Sequence, residues 1–312
     1  MLLSASRRTD IPAFYGDWLM NRLRAGFLLV RNPRNPRQVS RIDLSAETVD
    51  GVVFWTKNPA PFLPHLPELD ARGIPYYFQF TLTPYGPELE PGLPDKRAVA
   101  DTFRRLAERL GPHRVLWRFD PILLNADWDV PRVQDAFSRL CRQLTGYTQQ
   151  CTISFLDVYA KVRPEVNSGR IRPPRPEEMA ALAAAIGAIG GEAGLDMRAC
   201  CEELDMRSFG IRPASCISRE TVEKVCGCPV LAKPQSGQRP HCGCMDSVDI
   251  GAYDTCRHGC VYCYANAGGR AVASGCAQHD PLSPLLTGCL LPDDIVRPRP
   301  AESLRQNQTT LY

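Results

Sequence analysis

Six short apolar segments, separated by segments with helical periodicity, constrain the fold of this chain more strongly than any other feature. Such alternation predicts a parallel sheet whose strands are connected by helices. The predicted strands are residues 1–6, 51–55, 76–80, 115–119, 151–156 and 195–199. We therefore expect an α/β protein: a partial (βα)6 TIM-like barrel in residues 1–199, and a cysteine-rich segment, residues 200–312, that covers the barrel mouth.

Polar residues follow each of the six predicted strands. In parallel α/β folds, ligands bind at the carboxyl ends of the strands, so these side chains are expected to share one polar mouth. They are Arg7, Arg8 and Asp10 after the first strand, Lys57 and Asn58 after the second, Gln79 and Thr81 at the third, Arg118 and Asp120 at the fourth, Ser154 and Asp157 at the fifth, and Cys201 and Glu202 after the sixth.

The cysteines are distributed unevenly along the chain. Of 14 cysteines, only Cys141 and Cys151 precede residue 200, so 12 fall in the last third. A secreted disulfide scaffold is usually small and spreads its cysteines throughout. The distribution therefore favours metal ligation in a reducing compartment.

Three of these cysteines, Cys256, Cys260 and Cys263, have the spacing C-x3-C-x2-C, with Tyr262 directly before the last. Three thiolates can hold a 4Fe–4S cluster and leave one iron open to another ligand. A zinc site is the alternative, since C-x2-C pairs are common there. His258 lies inside this loop, and we expect it to face solvent, with a hydrogen bond near the cluster as the other possibility.

Several motifs together resemble the family called domain of unknown function 1848, over roughly residues 1–270. The matching pieces are residues 4–12, 54–59, 77–83, 118–122 and 249–253. The family is regarded as radical S-adenosylmethionine-like, and the three-cysteine loop resembles the signature of that superfamily. The resemblance implies that the open iron chelates S-adenosylmethionine, whose reductive cleavage gives a 5′-deoxyadenosyl radical. The piece Trp55–Lys57 is also similar to relatives of spore photoproduct lyase.

The position of the cysteine loop departs from the usual superfamily pattern. There the loop follows the first barrel strand, whereas here it follows all six predicted strands. We therefore expect the C-terminal segment to fold back over the mouth. Residues 248–253 are predicted to form the strand or extended arm that carries the three cysteines there.

The chemistry of S-adenosylmethionine suggests partners for its groups. Its carboxylate could pair with Arg7, Arg8, Arg118 or Lys57, and arginine offers a bidentate fork. Asp120 or Asn58 could bind the ribose hydroxyls, as could Asp157. Tyr262 and Tyr264 flank Cys263, and backbone near them could contact the adenine.

A second set of cysteines is implied by the same resemblance: Cys201, Cys216, Cys242 and Cys244. Four thiolates would complete a coordination shell. We therefore expect a second 4Fe–4S cluster, or zinc, at these residues. The pair Cys226 and Cys228 leaves the choice of four open.

The predicted protein is thus a cytoplasmic, oxygen-sensitive radical S-adenosylmethionine enzyme that acts on a small molecule. Its expected partner is a one-electron donor such as flavodoxin or ferredoxin. The net charge of +3 makes a nucleic-acid partner unlikely, and we expect no export signal and no membrane span. Two alternatives stay open: a nucleic-acid lesion lyase of the photoproduct-lyase type, and a zinc or electron-transfer iron–sulfur module without radical chemistry.

Overall fold

A parallel sheet organises the chain, whose computed structural model describes residues 1–235 and 242–306. In chain order the strands are Leu2–Ala5 (β1), Phe27–Arg31 (β2), Gln38–Asp43 (β3), Gly51–Thr56 (β4), Tyr76–Thr81 (β5), Val115–Ile122 (β6), Gln150–Phe155 (β7), Asp196–Ala199 (β8), Arg212–Pro213 (β9), Val248–Asp249 (β10) and Ile295–Pro298 (β11). The helices are Ile11–Phe14 (α1), Gly16–Ala25 (α2), Leu66–Ala71 (α3), Lys96–Leu110 (α4), Val130–Leu144 (α5), Arg163–Asn167 (α6), Pro176–Glu192 (α7), Arg219–Cys226 (α8) and Gly269–Ala277 (α9), with 3₁₀ turns at Ala60–His65 and Arg207–Phe209.

The main sheet has eight strands in the order β10-β1-β4-β5-β6-β7-β8-β9, and every adjacent pair is parallel. Its six central strands are those predicted from the sequence. The α/β class and the parallel sheet are therefore confirmed. Within the described residues the two end strands, β10 and β9, do not pair with each other, so barrel closure is not observed.

The central strands are buried because helices cover them. All six residues of β7 are buried, as expected for a parallel strand covered on both faces. Helix α4 packs Phe103 on Phe80 of β5, with ring centroids 4.9 Å apart, and α5 packs Phe137 on Trp117 of β6 at 5.1 Å. Asp95 and Asp129 cap the starts of α4 and α5 through their side chains, which fixes where both helices begin.

The C-terminal segment adds strands to both sheets of the molecule. Strand β10 pairs with β1 through Leu3 and Val248, which confirms the arm predicted at residues 248–253. Strand β11 pairs in parallel with β3, and β3 pairs antiparallel with β2, giving a small sheet that the sequence did not reveal. In the part of the chain that the structure describes, no helix has the length and apolar character needed to cross a membrane.

Candidate functional site

A cavity of about 800 Å³ lies at the carboxyl ends of the central strands. Most of the strand-end residues predicted from the sequence line it, although Asn58, Gln79 and Glu202 do not, and the C-terminal segment also lines it. The lining includes Arg7, Arg8, Lys57, Arg118, Asp120, Ser154, Asp157, Tyr262 and Tyr264. All eight residues of two cysteine groups also line it: Cys256, Cys260 and Cys263, here called the triad, and Cys200, Cys201, Cys216, Cys242 and Cys244, here called the five-thiol group.

The triad lies in a loop that backbone hydrogen bonds attach to the segment after β5. The N–H of Val261 donates to the carbonyl of Leu89 at 2.9 Å, and the N–H of Gly92 donates to the carbonyl of His258 at 2.8 Å. A side chain at position 92 would place its Cβ 2.5 Å from the carbonyl oxygen of Arg257. Only glycine therefore allows the loop to approach this closely.

The buried carboxylate of Asp10 attaches the same loop to the sheet. One oxygen accepts hydrogen bonds from the backbone N–H of Lys57 and lies 2.7 Å from Nε2 of His258, while the other accepts from the N–H of Ala13 at 3.0 Å. His258 is only 2% exposed and Asp10 only 5%. The expectation that His258 faces solvent is thus wrong, because Asp10 supplies the partner that a buried imidazole needs.

A second buried network lies behind Cys260. Lys57 Nζ lies 2.9 Å from Glu90 Oε1 and 2.9 Å from the hydroxyl of Tyr262, and Lys96 pairs with the other oxygen of Glu90. Burial alone would raise the pKa of Glu90, but the two ammonium groups overcome this and lower it to about 2. Burial alone would lower the pKa of Lys57, but Glu90 and the neighbouring Cys260 raise it above its usual value. Burial lowers the pKa of Lys96, so Lys57 is the cation that this network places beside Cys260.

The triad thiols are weak acids while they carry no metal. Burial raises the pKa of Cys260 against the opposing charge of Lys57, and it also raises the pKa of Cys263. Burial raises the pKa of Cys256 to about 12, although the backbone N–H groups of His258 and Asp10 act in the other direction. Thiolates here would need a compensating cation, and metal binding supplies one.

The five-thiol group contains the four cysteines predicted for a second site and adds Cys200. Cys200 Sγ lies 3.2 Å from Cys216 Sγ and donates to Cys201 Sγ at 3.8 Å. Hydrogen bonds from Cys200 and Cys242 lower the pKa of Cys201 below the usual value of a thiol. Its backbone has φ of 57°, a left-handed turn directly after β8.

Arg118 adds positive charge to the five-thiol group. Its Nη1 lies 3.0 Å from Cys216 Sγ, and its other nitrogens form a bidentate pair with Asp120. Burial disfavours the guanidinium, but Asp120 and then Cys216 raise the pKa of Arg118 well above its usual value. Arg118 therefore stays charged beside the sulfur of Cys216.

The two cysteine groups suit soft metals, because thiolates are the ligands that zinc and iron–sulfur clusters prefer. No group of three or more His, Cys, Asp or Glu side chains in residues 1–235 and 242–306 is arranged to hold a metal ion. Preformed single-ion geometry is thus not observed in either group. A cubane cluster requires a different arrangement of ligands from a single ion, because its thiolates bind different irons and need not converge on one point.

The remaining predicted site residues differ in their placement. Asn58 is not part of the cavity lining, and its side-chain oxygen instead accepts from the N–H of Ala60 at the following turn. The hydroxyl of Tyr264 donates to the carbonyl of Arg7 at 2.6 Å, which joins the triad loop to the end of β1.

Sequence reasoning missed Glu90 and Cys200 as site residues. Glu90 lies in a proline-flanked loop, and nothing in its local sequence distinguishes it from a surface acid. Cys200 could have been included, because it is adjacent to Cys201 at the end of a predicted strand.

Fold and site together define an α/β protein with a parallel sheet whose carboxyl edge forms a cavity lined by two cysteine groups. The chain belongs to the family described as domain of unknown function (DUF1848), which matches residues 2–265 and so includes all eight cavity cysteines. The resemblance noted from the sequence motifs is thereby confirmed. No curated protein and no solved structure matches the chain.

Proposed function

We propose that this protein is a radical S-adenosylmethionine enzyme whose catalytic 4Fe–4S cluster is held by Cys256, Cys260 and Cys263. One observation carries the proposal: a C-x3-C-x2-C loop is fixed at the carboxyl edge of a parallel sheet, and all three of its cysteines line the cavity. The sheet would then be the wall of a partial TIM-like barrel, with the C-terminal segment over its mouth.

Held by Cys256, Cys260 and Cys263, such a cluster would supply the electron for reductive cleavage of S-adenosylmethionine. The protein's own part is to hold the loop and balance its charge. Asp10 and His258 fix the loop on the sheet, and Lys57 places an ammonium beside Cys260. Of the cations that line the cavity, Arg7, Arg8, Arg118 and Lys57 are the candidates for the cosubstrate carboxylate, and Asp120 is the candidate for its ribose.

The five-thiol group would hold a second 4Fe–4S cluster or zinc. The charged guanidinium of Arg118 beside Cys216 would offset the net negative charge of either thiolate-ligated centre. Cys201, Cys216, Cys242 and Cys244 remain the proposed ligands. Cys200 is a fifth thiol in the same place, and its sulfur lies within 4 Å of two of them.

The cavity favours a small-molecule substrate. Its volume of about 800 Å³ is in the range of cavities that enclose metabolite-sized ligands. We also propose that the enzyme is cytoplasmic and oxygen-sensitive and takes electrons from flavodoxin or ferredoxin, since such clusters require reducing conditions.

Metal content after anaerobic reconstitution tests this proposal. We expect about 4 iron atoms per chain for one cluster and about 8 for two. Replacing the triad with alanine should remove about 4 of them, because a 4Fe–4S cluster that loses its three thiolate ligands is lost as a whole. Cys289→Ala is the matched control, because Cys289 is exposed and does not line the cavity, and it should lose none. Stoichiometric zinc without iron would contradict the proposal and support the zinc-module alternative.

A further inference from the structure

Arg7 lies between the two cysteine groups. Its backbone carbonyl accepts from Tyr264, next to Cys263, whereas its guanidinium lies over the ring of Trp55, 4.7 Å from the centroid. Trp55 packs against the apolar cluster that contains Cys200, Cys216 and Cys244. The charged end of Arg7 is thus on the five-thiol side of the cavity.

The guanidinium of Arg7 is incompletely satisfied. Its Nη2 is buried and has no hydrogen-bond partner among the described residues, and its Nη1 has only a long contact of 3.5 Å with Gln235. In the same part of the chain, no carboxylate forms an ion pair with it; the nearby Asp249 accepts from the backbone N–H of Arg7 instead. The hydroxyl of Thr9, two residues on, is also buried and unpartnered, and it lines the same cavity.

A buried guanidinium nitrogen without an acceptor is costly unless a ligand supplies one. Stacking on Trp55 holds the planar guanidinium of Arg7 in place, so less conformational entropy is lost when the guanidinium binds a carboxylate or phosphate. Two neighbouring cavity cations, in contrast, already have carboxylate partners. Lys57 is bonded to Glu90, and Arg118 is bonded to Asp120.

We propose that Arg7 is the binding point for an anionic group, a carboxylate or a phosphate, of the substrate, in a subsite beside Trp55. This inference rests on the proposed function only in calling the ligand the substrate. The cosubstrate carboxylate is the other possible source of the same chemistry. The substrate is the better assignment because the guanidinium contacts Trp55 and Gln235 and, among the described residues, has no hydrogen bond to a triad cysteine.

Calorimetric titration of the full-length reconstituted protein under anaerobic conditions tests the subsite. The probes are inorganic phosphate and, separately, S-adenosylmethionine, both at fixed ionic strength. Arg7→Gln should weaken phosphate binding about 10- to 100-fold, the loss expected for hydrogen bonds to a charged group. Arg7→Lys should show a smaller loss, because it keeps the charge without the fork.

Arg299→Gln is the matched control. Arg299 lines the same cavity but is exposed, so this variant makes the same charge change without removing a buried fork. It should weaken phosphate binding less than about twofold. Unchanged circular dichroism and thermal midpoints establish that the Arg7 variants are folded.

Each outcome decides the question. Loss of phosphate binding in Arg7→Gln with unchanged S-adenosylmethionine affinity supports a substrate subsite. Weakened S-adenosylmethionine binding in Arg7→Gln would overturn it in favour of the cosubstrate carboxylate. Equal losses in Arg7→Gln and Arg299→Gln, or no saturable phosphate binding, would also overturn it. If S-adenosylmethionine binds no variant while phosphate binding still depends on Arg7, the anion subsite stands and the proposed function fails.

Discussion

Replacing Asp10 with alanine should be among the most damaging single changes at the site. The carboxylate accepts from the backbone N–H groups of Ala13 and Lys57 and lies 2.7 Å from Nε2 of His258. Alanine leaves three buried polar groups without their partner. Each such group costs about 1–3 kcal/mol, and some will recover water, so we expect a loss of about 3–5 kcal/mol of unfolding free energy.

Urea denaturation of anaerobically prepared protein measures this loss, and iron content measures its effect on the triad. Asp129→Ala is the matched control, because Asp129 also caps a helix but is exposed and contacts no cysteine loop. It should cost about 1 kcal/mol and leave iron content unchanged. The reasoning is refuted if Asp10→Ala is no more destabilising than Asp129→Ala, or if it retains full iron at the triad.

Two further changes test the surroundings of the loop. Glu90→Gln removes a carboxylate whose pKa is lowered from 4.5 to about 2, so its stabilisation of about 3 kcal/mol is fully present above pH 4.5 and is lost as the pH falls through 2. In urea titrations, the difference in unfolding free energy between parent and variant should become smaller on acidification. A difference that does not depend on pH would contradict this. Gly92→Ala forces a Cβ against the loop carbonyl of Arg257 and should cost about 1–3 kcal/mol together with some triad iron. Gly191→Ala, at a position with open space around it, should lower neither the stability nor the iron content. Equal effects of the two glycine variants in thermal melts and iron assays would show that the loop is not held as described.

The six central strands could be predicted from the sequence because each is a short apolar run followed by a polar end. Strands β2, β3 and β11 could not. Residues 31–37 are rich in proline and asparagine, which indicates a loop but not that this loop connects two paired strands. Strand β11 depends on pairing with residues more than 250 positions away, which no local pattern indicates. Gly26 ends α2 in a left-handed conformation before β2 begins.

Seven of the eight cavity cysteines could be predicted, all but Cys200, whereas the partners of the site residues could not. Spacing identifies Cys256, Cys260 and Cys263 within one loop. The contacts of His258 with Asp10, and of Tyr262 with Glu90, join residues far apart in sequence, and no local pattern indicates them. Burial of a charge depends on the tertiary fold, so the role of Glu90 between two lysines became visible only in the structure.

The most direct test of the central claim is cleavage of S-adenosylmethionine. The reconstituted protein is mixed anaerobically with S-adenosylmethionine and dithionite, and 5′-deoxyadenosine is measured by chromatography. We predict release by the parent protein and by Cys289→Ala, and none by variants in which Cys256, Cys260 or Cys263 is alanine. Absence of 5′-deoxyadenosine from an iron-loaded parent protein, or equal release by the triad variants, would contradict the account.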